Sequence, residues 1–204
     1  DLSTFTLTVN AVNDAPIILQ PMEDLFMIED SMAVSLVLNS YFSDVDGDEL
    51  EYSVSMDVEG IIETEINEGY LKIIPIEDQS GGPISITVLA TDNNTNIVAS
   101  NSFIVIVEGI NDPPILSQIE DQEIDEDSNF IYSISALDVD GDEIVYNVQV
   151  EGNADANLVG NILTLTPMPE YYGNIEITIV AFDGEYTDTT DFTLTVNAVN
   201  DAPT

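Results

Sequence analysis

The sequence predicts an all-β chain built as tandem Greek-key β-sandwiches of about seven strands each. Three observations point there. Short runs of apolar, β-branched residues alternate with polar ones, Asn, Asp, Gly and Pro punctuate the runs, and one polar octet recurs at domain-length intervals. In "FIVIV" at Phe103–Val107, one face carries Phe103, Val105 and Val107 and the other Ile104 and Ile106. Tyr52 and Val54 likewise alternate with Glu51 and Ser53. "SGGP" at Ser80–Pro83 and "YGN" at Tyr172–Asn174 are turns, and no long stretch keeps a helical period.

The octet "VNAVNDAP" fills Val9–Pro16 and Val196–Pro203, with a worn copy, "VEGINDPP", at Val107–Pro114. Its second asparagine falls at Asn13, Asn111 and Asn200. Other features keep step with it in chain order. "IED" at Ile28–Asp30 matches "DED" at Asp125–Asp127, and "SDVDGDELEYSV" at Ser43–Val54 matches "LDVDGDEIVYNV" at Leu137–Val148. "ISITVLATD" at Ile84–Asp92 matches "IEITIVAFD" at Ile175–Asp183, and "FIVIV" matches "FTLTV" at Phe192–Val196 and at Phe5–Val9. Residues 1–10 are therefore expected to be the terminal strand of a preceding repeat, 11–109 a first full repeat, and 110–204 a second with its outgoing linker. Opening mid-pattern, the chain reads as a piece of something longer.

The 204 residues hold 40 acids, no histidine and a single base, Lys72, for a formal charge of −39. Ion pairs within the chain cannot offset that charge, and its self-repulsion opposes a compact state unless counter-ions stay close. An apolar fraction of 44% rich in Ile, Val and Leu argues for folding rather than disorder. Such a surface repels nucleic-acid phosphates and anionic lipid heads. No cysteine is present, which removes disulfides, thiolate metal sites and cysteine nucleophiles together. No apolar run approaches the length of a membrane span, so neither nucleic acid nor membrane insertion is expected.

Asp44, Asp46 and Asp48 alternate around Gly47, and Asp138, Asp140 and Asp142 around Gly141. On a strand these carboxylates would share a face and repel. A loop can instead curl them around one cation, and Ca2+ accepts six to eight oxygens with tolerant geometry. The pattern is not an EF-hand: Glu49 and Glu143 stand where that loop needs its glycine, and Ser55 and Gln149 where it needs its final Glu. A solvated turn would account for one such loop, but two in register beside repeated Asn-Asp linkers favour a metal.

"ALDVDGDEIVYNV" at Ala136–Val148 resembles the AxDxDxGxNxxIxYSI segment of cadherin repeats. "ITIVAFDG" at Ile177–Gly184 is similar to their LTVxAxDxG strand, and the octets resemble their DxNDNxP linker. The "VNxVNDAP" ending and a turn with Pro167, Tyr171 and Gly173 look most like bacterial cadherin-like tandem repeats. The resemblance covers both repeats and implies a cadherin/immunoglobulin-like sandwich with calcium shared at each joint. It maps a first-strand acid onto Glu29 and Glu126. Linker ligands fall on Asn13 and Asp14, Asn111 and Asp112, and Asn200 and Asp201. The DxD pair and the AxD aspartate fall on Asp44, Asp46 and Asp92, and on Asp138, Asp140 and Asp183. Spacing alone adds Asp48 and Asp142. The family's LDRE motif is missing; counting back from the AxD alanines puts its Glu at Glu170 in the second repeat and at Gln79 in the first, where Glu77 and Asp78 lie near. Ala11, Gly109 and Ala198 replace the first linker aspartate, so one or two ions per joint are expected.

The function this implies is that of a calcium-rigidified spacer or adhesion repeat in a large bacterial surface or secreted protein. The alternative is a calcium-dependent carbohydrate-binding or homophilic module, alone or attached to a secreted enzyme. Expected partners are neighbouring repeats of the same chain and, on the alternative reading, carbohydrate or protein at a cell surface. Trp is absent, leaving Tyr171, Tyr172 and Tyr186 as candidate platform residues, with Tyr171 or Tyr172 also able to plug the sandwich end. Catalysis is not expected, because the acids repeat in register and neither a Ser-His pair nor a Cys nucleophile exists.

Overall fold

The computed structural model describes residues 4, 6–10, 12–92 and 98–200. The chain divides into two compact units, Asp1–Ile110 and Asn111–Thr204. The first unit contains β1 (Ile17–Ile18), β2 (Leu25–Ile28), β3 (Val34–Val37), β4 (Phe42–Ser43), β5 (Glu51–Met56), β6 (Ile62–Asn67), β7 (Tyr70–Pro75), β8 (Gly81–Thr91) and β9 (Val98–Glu108). The second contains β10 (Ile115–Leu116), β11 (Gln122–Asp125), β12 (Phe130–Ser133), β13 (Ala136–Leu137), β14 (Val145–Glu151), β15 (Ala154–Val159), β16 (Ile162–Pro167), β17 (Gly173–Phe182) and β18 (Thr187–Asn197). Leu38–Ser40, a single 3-10 turn, is the one helical segment among the described residues. Breaks in the first and second strands raise the expected seven per repeat to nine short segments.

Both units are β-sandwiches with one strand order. A four-stranded sheet runs β2-β9-β8-β5 in the first and β11-β18-β17-β14 in the second. It faces a three-stranded sheet, β3-β7-β6 or β12-β16-β15, and a two-stranded ladder, β1-β4 or β10-β13, completes each unit. Pairing is antiparallel except that β2 runs parallel to β9 and β11 parallel to β18. Alternation decides which side of each strand is buried. On β9, Phe103, Val105 and Val107 point inward and Ile104 outward. Leu71, Ile73, Ile84, Ile86 and Val88 complete the first core, and Leu163, Leu165, Ile175, Ile177 and Ile179 the second. Each such aliphatic side chain contributes about 1.5–3 kcal/mol through burial. These cores position the acids, which lie on loops at strand ends.

Residues 4 and 6–10, the described part of the expected orphan strand, form no strand, and Leu7 and Val9 are exposed. One register differs from the count made on the sequence. Between Gly81 and Ile84 the β8–β9 ladder has an irregularity that β17–β18 lacks, so the first unit carries one extra residue there. Turn hydrogen bonds then align Met168–Tyr171 with Ile76–Gln79, because Tyr171 donates to Met168 as Gln79 does to Ile76. Glu170 therefore corresponds to Asp78, not Gln79, and both have left-handed backbones, at φ 57° and 56°.

Candidate metal centre

The DxDGD loops leave β4 and β13 and close on their own first aspartate. Asp44 Oδ1 accepts hydrogen bonds from the Asp46 amide (2.8 Å) and the Asp48 amide (3.3 Å). Asp138 Oδ1 does the same for Asp140 (3.0 Å) and Asp142 (3.1 Å). An aspartate side chain suits this role because it can substitute for the carbonyl of a backbone turn. Gly47 and Gly141 sit inside the loops at φ 80° and 81°, a conformation that a Cβ penalises.

The second oxygen of each leading aspartate matters most. Asp44 Oδ2 and Asp138 Oδ2 are buried and have no hydrogen-bond partner, and Asp138 as a residue is only 8% exposed. A buried carboxylate oxygen left bare is costly unless a positive charge compensates it. Lys72, the chain's one base, lies mid-strand on β7, paired with Ser35 and Glu65, and neither Asp44 nor Asp138 accepts a hydrogen bond from it among the described contacts of those oxygens. The residues therefore fit a metal cation. In the first unit Asp44, Asp48 and Asp92 each place a carboxylate oxygen within 4.8 Å of the others. Carboxylate oxygens that close together can share one cation.

The incoming linker docks on the same acids in both units. Asn13 Nδ2 donates to Asp92 Oδ2 (2.7 Å) and the Asp14 amide to Asp46 Oδ2 (2.7 Å). Asn111 Nδ2 donates to Asp183 Oδ2 (2.9 Å) and the Asp112 amide to Asp140 Oδ2 (2.8 Å). The two cradles differ at the AxD aspartate. Asp92 is 2% exposed and joins the carboxylate group. Asp183 turns its Oδ1 to the amides of Glu185 (2.6 Å) and Tyr186 (2.7 Å), and among the described residues no matching three-carboxylate group lies within the second unit. Partial desolvation pushes the Asp183 carboxyl up, but the Glu185 and Tyr186 amides and the Asn111 side chain outweigh it and hold it below its ordinary range.

The opposite end of each unit carries the first-strand acid. Glu29 is 2% exposed and Glu126 8%. Glu29 Oε1 accepts the Ile110 amide (2.6 Å), and Glu126 Oε1 the Val199 amide (2.5 Å). Each glutamate therefore grips the linker leaving its own unit. Glu170 is exposed, in the turn before β17. Asn200 is exposed, and Asp201 falls outside the described residues. Sequence reasoning passed over Asp30 and took Asp78 only as a neighbour of the counted position; the Asp78 amide donates to Asp30 Oδ1 at 3.2 Å, beside Glu29.

Two further features flank these sites. A cleft of about 540 Å3 beside the first loop is lined by Asp44, Asp48, Asn39, Tyr52 and Glu68. Tyr52 donates to Asn39 Oδ1 (2.7 Å), and burial raises its phenol above its ordinary value. Of the candidate platform tyrosines, Tyr171 packs on the second core with its hydroxyl on the Asn174 carbonyl (2.8 Å), while Tyr172 and Tyr186 are 66% and 44% exposed.

No family model and no curated protein matches the chain. Solved structures that resemble it include human protocadherin-24 EC1-2, at 16% identity and TM-score 0.43, covering 93% of this chain and 100% of that one. Drosophila N-cadherin EC1-3 matches at 17% identity and TM-score 0.39, covering 92% of this chain and 69% of that one. An endo-fucoidan hydrolase of glycoside hydrolase family 107 matches at 16% identity and TM-score 0.43; the pairing covers 91% of this chain, which spans 29% of that enzyme's length. Likenesses this distant concern the fold alone. Among the described residues, no helix is long and apolar enough to cross a membrane.

Proposed function

We propose that the chain is a pair of calcium-binding adhesion or spacer repeats from a bacterial surface or secreted protein, and that it is not itself an enzyme. The observation that carries this reading is the bare, buried Oδ2 of Asp138 and of Asp44, each at the heart of a DxDGD loop. Calcium is the cation that the donor set suits: carboxylates and carbonyls, with neither imidazole nor thiolate in the chain. In the first unit Asp44, Asp48 and Asp92 converge to hold it, with Asp46 beside them; in the second, Asp138 offers its bare oxygen, and Asp140 and Asp142 would turn in to complete the site. Extracellular modules bind Ca2+ at roughly 10⁻⁴–10⁻³ M, which favours a role outside the cell.

Stiffening follows from the linker. A polar linker is flexible by default. This one is held by Glu29 at Ile110 and by Asp183 and Asp140 at Asn111 and Asp112, each anchor within its own unit. A cation in the cradle neutralises acids that otherwise repel and strengthens the second anchor. Small-angle scattering of the chain with calcium and with chelator tests this. Chelator is expected to broaden the distance distribution and raise the flexibility index; identical curves would refute stiffening.

The cleft beside the first loop favours a second reading, a calcium-dependent carbohydrate-binding module, because it sets Tyr52 and Asn39 next to Asp44 and Asp48. Pull-down on immobilised polysaccharides with and without calcium tests that reading. Retention only with calcium supports it, and no retention on any of them sinks it.

A further inference from the structure

The two units share a strand order and diverge on one outer face. In the first unit Phe26 lies opposite Ile106 on β2 and β9, with Ile28 one step on and Ile104 one step back. All four point away from the core partners Leu25, Met27, Val105 and Val107. Phe26 is 79% exposed, Ile28 49% and Ile104 39%. The pairing of β11 with β18 places Glu123, Asp125, Thr193 and Thr195 at the same four positions of the second unit. The sheet forms equally well with those polar residues, so the fold does not need an apolar face there. Exposed apolar patches on the order of 300 Å2 on one chain often mark interaction sites.

The rim identifies the partner. Asp24, Glu108 and Glu23 border the patch and are exposed, and Asp24 is fixed there by accepting the Ile104 amide at 2.8 Å. We infer that the Phe26–Ile106 face of the first unit docks another protein, whose contact surface presents aliphatic or aromatic side chains flanked by lysine or arginine. A second copy does not fit. It brings a charge of −39 and one base, Lys72, which lies on β7 in the other sheet. An anionic lipid surface is repelled by the same acids. Charged rims steer encounter and register, while the apolar centre supplies affinity.

The test uses the full chain and a fluorescent 12-residue peptide that alternates lysine with isoleucine and phenylalanine. Companion peptides replace lysine with glutamate, or the apolar residues with serine. Anisotropy is read at physiological salt, in chelator, so that the calcium sites play no part. One variant carries the second unit's residues on the first: Phe26→Glu, Ile28→Asp, Ile104→Thr and Ile106→Thr. Its folding is checked by circular dichroism and thermal melting. A converse variant carries Glu123→Phe, Asp125→Ile, Thr193→Ile and Thr195→Ile. The proposal expects the lysine–apolar peptide to bind the wild type at least about tenfold tighter than the first variant, as loss of a buried Phe and Ile implies. Either companion peptide should bind the two about equally and weakly, and the converse variant should gain affinity. Equal binding of the lysine–apolar peptide to wild type and first variant overturns the proposal, as does no binding to the wild type. Sedimentation that shows the wild type self-associating through these residues also overturns it, in favour of a second copy.

Discussion

Replacing Asp138 with asparagine keeps the side chain's shape and an oxygen that can accept the Asp140 and Asp142 amides, at 3.0 and 3.1 Å in the wild type. It removes the charge and puts an amide nitrogen where Oδ2 is buried without a hydrogen-bond partner. Without calcium, two opposing effects nearly cancel. Hydrogen bonds to a charged acceptor contribute about 1.5–3 kcal/mol and neutral ones about 0.5–1.5, so the loop weakens; relief of a bare buried carboxylate oxygen returns about 1–3. Stability in chelator is therefore expected to change by about 1 kcal/mol or less. With calcium the effect is one-sided. At about 10 mM, roughly 10–100 times the expected Kd, the wild type gains about 1.4–2.7 kcal/mol. For a domain of this size that raises Tm by roughly 6–20 °C. Scanning calorimetry of wild type, Asp44→Asn, Asp138→Asn and the double variant, each in calcium and in chelator, measures the shift directly. Each single variant should lose the shift of its own unit, and the double variant should lose nearly all of it. A double variant that keeps the wild-type shift would refute the assignment of the cation to these loops.

Three more outcomes follow from the geometry. Glu126→Ala should leave the Val199 amide without its 2.5 Å acceptor, costing about 1–3 kcal/mol and speeding hydrogen exchange at Val199 while the β17–β18 amides stay protected. Gly141→Val forces a branched side chain to φ 81° and should destabilise the second unit by about 1–2 kcal/mol or more in urea unfolding, in calcium and in chelator alike. Burial raises the Tyr52 phenol above its ordinary value of 10.0, so its contribution is fully present below that pH and is lost as pH rises through the folded-state value. Tyr52→Phe should remove that alkaline loss from the stability-versus-pH curve, while an unchanged slope would assign it to another tyrosine.

Much of this arrangement was legible in the residues. Phe103, Val105 and Val107 face the core because strand period alone decides it. The DxDGD loops sit at strand ends because three alternating acids cannot share a strand face, and Gly47 and Gly141 mark the left-handed turn. Other features depended on three-dimensional pairing. The slip from Gln79 to Asp78 arises from one residue at the Gly81–Ile84 irregularity, which counting along the chain passes straight over. Asp183 caps its hairpin through the Glu185 and Tyr186 amides, a contact that its motif position did not announce. The sequence pattern showed linker asparagines beside acids but not that Asn13 and Asn111 would donate directly to them. Repeat matching also hid the apolar outer face, because it aligns what the units share, and Phe26 and Ile104 are where they differ.

The most direct measurement is an anomalous difference map from crystals of the chain grown in calcium, with data collected at long wavelength. A peak is predicted about 2.3–2.6 Å from Asp138 Oδ2, with a counterpart beside Asp44 Oδ2, each ringed by six to eight oxygens. Well-ordered loops with a hydrogen-bonded water, and no anomalous signal, at both positions would contradict the metal reading.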